Sequence, residues 1–452
     1  MSMPPPAESV LQRMLTRSTR KAQRLSSAPR RSLAALRPFT TAMPSTVCIF
    51  ALAFVLRLVF ILSITAAPLE TDARDYDTLG WQLAQGKGYM NSDGAPTAYR
   101  PPVYPVVIGL IYFVAGHDPV WVRWVQAFIG AWTCVLVYLL TRIVFKNGIL
   151  AGLVAAMYPP LIVGTAEILT ETLFAFLLLA VVYLVVSKNG KWWRITSGVT
   201  LGLALLTRPM AVFFLPFLGY WMFANGARKD LAFVALGFVL VMTPWTARNY
   251  ARLDAFVPFA NVGGLTLYNS YIVPPGGFGY NSLNGVGEAY FQIDSETERS
   301  RYLVGQTRLF ISQNPLQAVK LGALKLLHLL YPFDGYWSAV SFGSKYNVFW
   351  GMIVSFALFG WAKSEKRRSR DVQLLGLLLL SFLIGSVVFY GSPRFRLPLE
   401  PILISFAAAG MHRLFAARRH TACLIIVVNL MLFFLFRHFE LREAFDYAKA
   451  WL

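Results

Sequence analysis

Charge is scarce in this chain. Only 14% of its 452 residues are Asp, Glu, Lys or Arg, against 56% hydrophobic ones. An acid or base standing beside a long apolar stretch is therefore informative, because such groups are costly near lipid and mark functional paths. Three groups meet that description. The first is acidic: Glu70, Asp72, Asp75 and Asp77, immediately after the first long apolar stretch. A carboxylate held at a membrane surface can take the proton of an acceptor hydroxyl or amine. The same four acids also fit a solvated loop. The second group is Glu167 and Glu171, one helical turn apart at the start of an apolar run. Acids there favour the helix dipole, and they equally suit contact with an acceptor or a sugar, as does Tyr76. The third group is basic: Arg100, Arg208, Arg248, Arg394 and Arg396, in proline- and aromatic-rich surroundings. The planar guanidinium fork binds phosphate in two places at once. A converging set of such forks grips a phosphate at the membrane surface and stabilises it as a leaving group. Singly, each also serves as a headgroup anchor.

Other chemistries lack their residues. There is no GxxxxGK[ST] loop and no GxGxxG turn, so a soluble nucleotide site is not indicated. The three cysteines, Cys48, Cys134 and Cys423, sit in apolar blocks. They form no pairing framework and no metal-ligand spacing, and HExxH is absent. Loop carboxylates can hold Mg²⁺ or Mn²⁺ through oxygen, but nothing in the sequence requires a metal or another cofactor. The net charge of +20 would suggest nucleic acid in a soluble protein. In a membrane protein it reads as basic cytoplasmic loops, so no nucleic-acid partner is expected.

The elements that must position these groups are membrane helices. Apolar residues fall in blocks of about 15–25, the length a bilayer demands. The fold class expected is all-α: a polytopic transmembrane bundle of about 11–13 spans, with juxtamembrane helices in its outer loops. Residues 1–43 form a basic arm, expected to be disordered and cytoplasmic. The membrane domain covers 44–438, and 439–452 is a short outer tail. Spans are expected near 45–66, 121–145, 149–165, 167–187, 194–207, 209–224, 231–247, 346–362, 371–391, 397–416 and 421–438. Arg57 interrupts the first and should face the bundle interior. The apolar stretch 102–116 opens with prolines and reads as an interfacial helix. Arg208-Pro209 breaks a continuous apolar run into a hairpin. The outer segments 67–120 and 248–344 form the catalytic face, and 297–331 has a helical, amphipathic pattern. Lys363, Lys366, Arg367 and Arg368 mark an inner loop.

Several runs resemble a known group. TDARDYDTLGWQLAQGKGY followed by YRPPVYPVVIGL is similar to the first outer loop of GT-C glycosyltransferases. The set most resembled is the family 39-like one, which includes protein mannosyltransferases and the aminoarabinose transferase of lipid A modification. TETLFAFLLL, LLTRPMAV, TPWTARNY and RFRLPLEPIL follow in the family's order, over about residues 45–415. The resemblance implies a donor sugar linked to polyprenyl or dolichyl phosphate, inversion at the sugar carbon, and a catalytic Asp in the first outer loop. Asp72 matches that position, four residues before Tyr76. Close relatives carry an acid directly after it, where this chain has Ala73 and places Asp75 just before Tyr76. The base is thus Asp72 or Asp75, with Asp72 ranked first. Glu171 matches an acidic position at the start of a span. Arg394 and Arg396 match the RxRxP segment near the lipid phosphate. The large soluble insertions of the protein mannosyltransferases are absent, which points to a smaller bacterial relative in the inner membrane. The acceptor, whether lipid, glycan or protein, stays open. The rival reading is a lipid-linked sugar flippase or another transporter. That class more often shows deep charges in several spans and internal duplication, neither of which is evident.

Overall fold

A computed structural model describes residues 37–64, 69, 71–187, 190–272, 283, 286–330, 333–334, 345–362, 364 and 369–416. Glu70, most of the basic arm, the span expected at 421–438 and the tail 439–452 lie outside the described residues. So do Lys363, Lys366, Arg367 and Arg368 of the inner marker. The chain divides into two compact units, Met1–Cys48 and Ile49–Leu452. The start of one helix represents the first. Every described site residue belongs to the second.

The described structure is helical apart from one two-residue ladder. In chain order the first helices are α1 (Arg37–Ser63), α2 (Thr71–Ala84), α3 (Val103–Ala115), α4 (Pro119–Phe145), α5 (Ile149–Met157), α6 (Pro159–Val163), α7 (Glu171–Ser187) and α8 (Lys191–Thr207). A 3₁₀ turn, Pro209–Phe213, leads to α9 (Phe214–Ala224) and α10 (Arg228–Leu253). Then come α11 (Val262–Tyr271), α12 (Glu288–Phe291), α13 (Glu296–Gln313) and α14 (Pro315–Leu329). Strands β1 (Phe333–Asp334) and β2 (Lys345–Tyr346) pair antiparallel, Phe333 opposite Tyr346. The last helices are α15 (Val348–Ala362), α16 (Arg370–Val388), α17 (Pro393–Arg396) and α18 (Glu400–Ala416).

Helix starts follow the local chemistry. Asp118 caps α4 by accepting from the Val120 amide at 2.9 Å, with Pro119 at the first helical position, where its missing N–H is no loss. Ser295 caps α13 by accepting from the Glu298 amide, the S-x-x-E pattern that satisfies orphan donors.

Four described helices are long and apolar enough to cross a membrane, within Met43–Ser63, Pro119–Phe145, Arg228–Leu253 and Arg370–Val388. Four shorter apolar helices accompany them, at Val103–Ala115, Glu171–Ser187, Pro209–Ala224 and Phe349–Ala362. This is a multi-pass membrane protein. Helix α4 is the spine, packed against α5, α7 and α18. Apolar contact alone does not drive helices together in lipid, so close packing through small residues does. Helices α8 and α10 pack closely. A Cβ on Gly198 would lie 1.9 Å from the Val234 carbonyl oxygen, and one on Gly202 would lie 2.9 Å from the Val241 Cβ. Arg57 does face inward: it is fully buried, and donates to the Ala53 and Ala156 carbonyls at 3.0 and 3.4 Å.

Some expected boundaries move. The span 149–165 is two helices, because Tyr158 turns extended before Pro159-Pro160, as a residue preceding proline tends to. The pattern over 297–331 splits at Asn314-Pro315, where Asn314 leaves the helical conformation ahead of the proline. The span ending at 247 continues to Leu253, so Arg248 lies on α10 and not in a loop. Glu167 is not on the helix of Glu171, which begins at Glu171 itself. The break at Arg208-Pro209 stands: α8 stops at Thr207 and Arg208 is extended.

Candidate functional site

Helix α2 presents Asp72, Asp75 and Tyr76 at spacings of three and four, hence on one face. It is held tightly against α3. A Cβ on Gly80 would lie 2.3 Å from Ile108 Cγ2, so only glycine permits this approach. Thr71, directly before Asp72, has φ 45°. That left-handed conformation is disfavoured for a β-branched residue and costs about 1–3 kcal/mol, so the surroundings impose this entry into α2. Asp77 faces elsewhere. Tyr112 donates to it at 2.5 Å and His117 lies 3.1 Å away, which removes it from the acidic cluster seen in the sequence.

Arg100 arrives on the loop that follows the isolated Met90–Pro96 bridge. Tyr89 donates its hydroxyl proton to the Arg100 carbonyl at 2.9 Å. Arg248 braces the same loop from α10, donating to the Thr97 and Tyr89 carbonyls at 2.7 and 2.6 Å. Arg208 comes from the extended residue after α8, Glu171 from the first turn of α7, and Arg394 from the short helix α17.

These side chains form an alternating chain of charge. Asp75 and Asp72 each accept from Arg100 Nη2 at 2.7 Å. Arg394 Nη1 reaches the other Asp72 oxygen at 3.0 Å. Arg394 Nε donates to Glu171 at 2.5 Å, and Arg208 Nη1 donates to the same oxygen at 2.8 Å. Three carboxylates are thus interleaved with three guanidiniums. Exposure is graded along the chain: the Asp75 side chain is 47% exposed, Asp72 25% and Glu171 2%. Aromatic faces complete the surroundings. Arg100 lies over Tyr76 and Tyr99 at 5.2 and 5.1 Å, and Arg208 over Phe395 at 4.7 Å. Burial pushes the Asp72 carboxyl up, but Arg100 and Arg394 outweigh it and hold the group well below the usual carboxylate range. Burial raises the Tyr76 hydroxyl, which keeps it a neutral donor at pH 7.

Seven of the ten expected site residues therefore meet: Asp72, Asp75, Tyr76, Arg100, Glu171, Arg208 and Arg394. Three stand apart from this ion-pair chain. Arg248 is the loop brace. Arg396 is buried, pairs with Glu400 at 2.9 Å and lies over Trp350. Glu167 is buried in the segment before α7, where its carbonyl accepts from Gln126 at 2.7 Å. Sequence reasoning missed Thr170, Tyr99 and Phe395, which border the guanidiniums. Each adjoins a residue that was singled out. Among the described residues no group of three His, Cys, Asp or Glu side chains is placed to hold a metal ion.

The chain is similar to known membrane proteins. It matches the oligosaccharyltransferase of Archaeoglobus fulgidus, solved in complex with Zn and sulfate, at a TM-score of 0.52 and 14% identity. The match covers 86% of this chain and 51% of that one, so the chain spans about half the length of that structure. The fold is of the GT-C type. Residues 99–247, from the Arg100 loop into the last third of α10, match the family model described as dolichyl-phosphate-mannose-protein mannosyltransferase. Two structures of ArnT from Cupriavidus metallidurans are also similar. The one bound to undecaprenyl phosphate has a TM-score of 0.40 and 14% identity over 81% of this chain and 77% of that. The apo structure gives 0.40 and 13% over 82% and 78%. No curated protein matches at the level of sequence. Within the GT-C fold of this chain, the alternating charges join the segment after α1, the Arg100 loop, the α7 start, the α8 end and α17.

Proposed function

We propose that the protein is an inverting glycosyltransferase. It moves a sugar from a polyprenyl-phosphate donor to an acceptor at the outer face of the membrane, in bacteria the inner membrane. The observation that carries this reading is the alternating chain Asp75–Arg100–Asp72–Arg394–Glu171–Arg208. The family model matched by residues 99–247 supports the donor class.

The chemistry follows from who is paired with whom. Arg100, Arg394 and Arg208 are each paired with a carboxylate. A lipid phosphate brings a competing anion that Arg394 and Arg208 can bind through parallel N–H donors. Its arrival takes Arg394 from Asp72, and Asp72 then becomes a stronger base. The acceptor hydroxyl loses its proton to Asp72, with Asp75 the alternative base, and its oxygen attacks the anomeric carbon. The bond from that carbon to the phosphate oxygen breaks, and its electron pair leaves on the phosphate. The arginines stabilise that charge where it develops. Glu171, held by two guanidiniums, keeps both in place and borders the sugar. No step requires a metal.

Purified protein in vesicles, given polyprenyl-phosphate mannose and other polyprenyl-phosphate sugars, tests this. Release of free polyprenyl phosphate with a glycosylated product is expected, abolished by Asp72→Asn. Movement of intact donor between leaflets, with no release from any donor, would replace the transferase by a flippase.

A further inference from the structure

Beside the charge chain lies a cavity of about 490 Å³, bounded by α2 and α13 and by the Arg100 loop. The size suits a ligand of a few rings. Asp75 and Arg100 belong to its wall, and Asp72 does not. Arg100 thus separates the two sides: Asp72, Arg394 and Glu171 lie on one, and Asp75 opens onto the cavity on the other.

The wall is amphipathic. Tyr99 and Tyr290 supply rings, and hydroxyl and amide groups stand among leucines. Its second acid, Glu296, is fully occupied as a strut. It accepts from the Thr97 hydroxyl at 2.5 Å, the Ala98 amide at 3.1 Å and the Asn261 amide at 2.7 Å. Two further guanidiniums line the cavity, Arg74 and Arg299. Arg74 donates to the Leu69 carbonyl, and Arg299 donates to the Ile293 carbonyl and lies over Tyr290. Among the described residues neither is paired with a carboxylate. Asp75 is held by Arg100 and Glu296 by its three donors, so an anion placed against Arg74 and Arg299 would be bound by charge-assisted hydrogen bonds.

We propose that this cavity is the acceptor site and takes a hydroxyl-rich carbohydrate bearing an anionic group. The role as acceptor site rests on the transferase reading above; the anionic-sugar preference rests on the cavity alone. Rings stack on Tyr99 or Tyr290, the anion meets Arg74 and Arg299, and a hydroxyl reaches Asp75, the alternative base, which opens onto the cavity.

Saturation-transfer NMR on the full chain in nanodiscs, with methyl glucuronide and methyl glucoside as probes, tests it without any donor. The expected result is glucuronide binding that Arg74→Gln weakens by about tenfold, the loss of one charged contact. Arg299→Lys, which keeps the charge and loses the fork, should weaken it less. Glucoside binding should be weaker and unmoved by either variant. Equal binding of the two sugars, no glucuronide signal, or preference for a serine-containing peptide overturns the proposal. Donor turnover by the wild type is measured beside it. Turnover without glucuronide binding overturns the acceptor assignment alone. Glucuronide binding without turnover of any donor overturns the transferase reading and leaves an acidic-sugar site.

Discussion

Arg394 donates its Nε proton to Glu171 at 2.5 Å, although 223 residues separate them. The same guanidinium holds Asp72, so one side chain couples the start of α7 to the start of α2. Glu171 is also held by Arg208. Removing a charge from such a buried network leaves the others uncompensated, which costs about 3–5 kcal/mol. Glu171→Gln should therefore lower the thermal unfolding midpoint in detergent as well as transfer. Arg394→Lys should lose transfer without recovering it, because an ammonium cannot span Glu171 and Asp72 as the planar fork does. Retention of full activity by Arg394→Lys would count against the bridging role.

The base should show itself in rate and in pH dependence. Asp72→Asn should lower kcat by about 10²–10⁴-fold, the usual loss of a general base, with Asp75→Asn less severe. Arg100 and Arg394 hold the Asp72 carboxyl below the usual range against the effect of burial. A base with a depressed pKa stays ionised down to low pH, so its acid limb lies at low pH. Replacing Arg100 by Gln should move the acid limb of kcat/KM to higher pH. The stability that these pairs contribute is present above the unfolded carboxylate value, near 4, and is lost as pH falls through the folded one. An acid limb unmoved by Arg100→Gln would show that Asp72 is not the titrating base.

His328 gives a separate pH signature. Its Nδ1 bonds the Gly391 carbonyl, three residues before Arg394. Burial lowers it to about 4 from 6.5, with Arg396 adding in the same sense. The unfolded state therefore takes up a proton at about pH 6.5 that the folded state refuses until about pH 4. Stability is present above 6.5 and falls as pH drops through this window. The unfolding midpoint should follow that course in the wild type and flatten in His328→Asn.

Gly80 tests whether the seat of α2 matters. A Cβ there would meet Ile108 Cγ2 at 2.3 Å, and overpacking of this kind costs about 1–3 kcal/mol. Gly80→Ala should shift the helix that carries Asp72 and Asp75, lowering transfer at least tenfold. Ile108→Ala in the same chain should recover much of it, since it clears the contact. No recovery would place the defect outside the α2–α3 contact.

Arg248 has contacts that residue chemistry alone does not reveal. By type and neighbours it reads as a phosphate ligand. In the structure its guanidinium is spent on the Thr97 and Tyr89 carbonyls, which hold the loop that delivers Arg100. Arg248→Lys should thus act by loosening that loop, raising the KM for the donor without changing the salt dependence of its binding.

The sequence by itself determined the membrane class and the helical architecture, and it marked the residue types of the candidate site. Long apolar blocks permit only helices in lipid, and charge beside them is rare enough to be noticed. It also determined local features, such as the breaks at Tyr158-Pro159 and Arg208-Pro209, because proline acts on its own neighbours. Which charges meet was decided only by tertiary structure. Asp72 and Asp77 stand on one short helix, yet a helix turns 100° per residue. One therefore enters the chain of arginines and the other turns to Tyr112 and His117. Arg394 and Arg396 are two residues apart, and the first meets Glu171 while the second is buried against Glu400. Pairing across hundreds of residues depends on how whole helices pack, and no spacing along the chain records it.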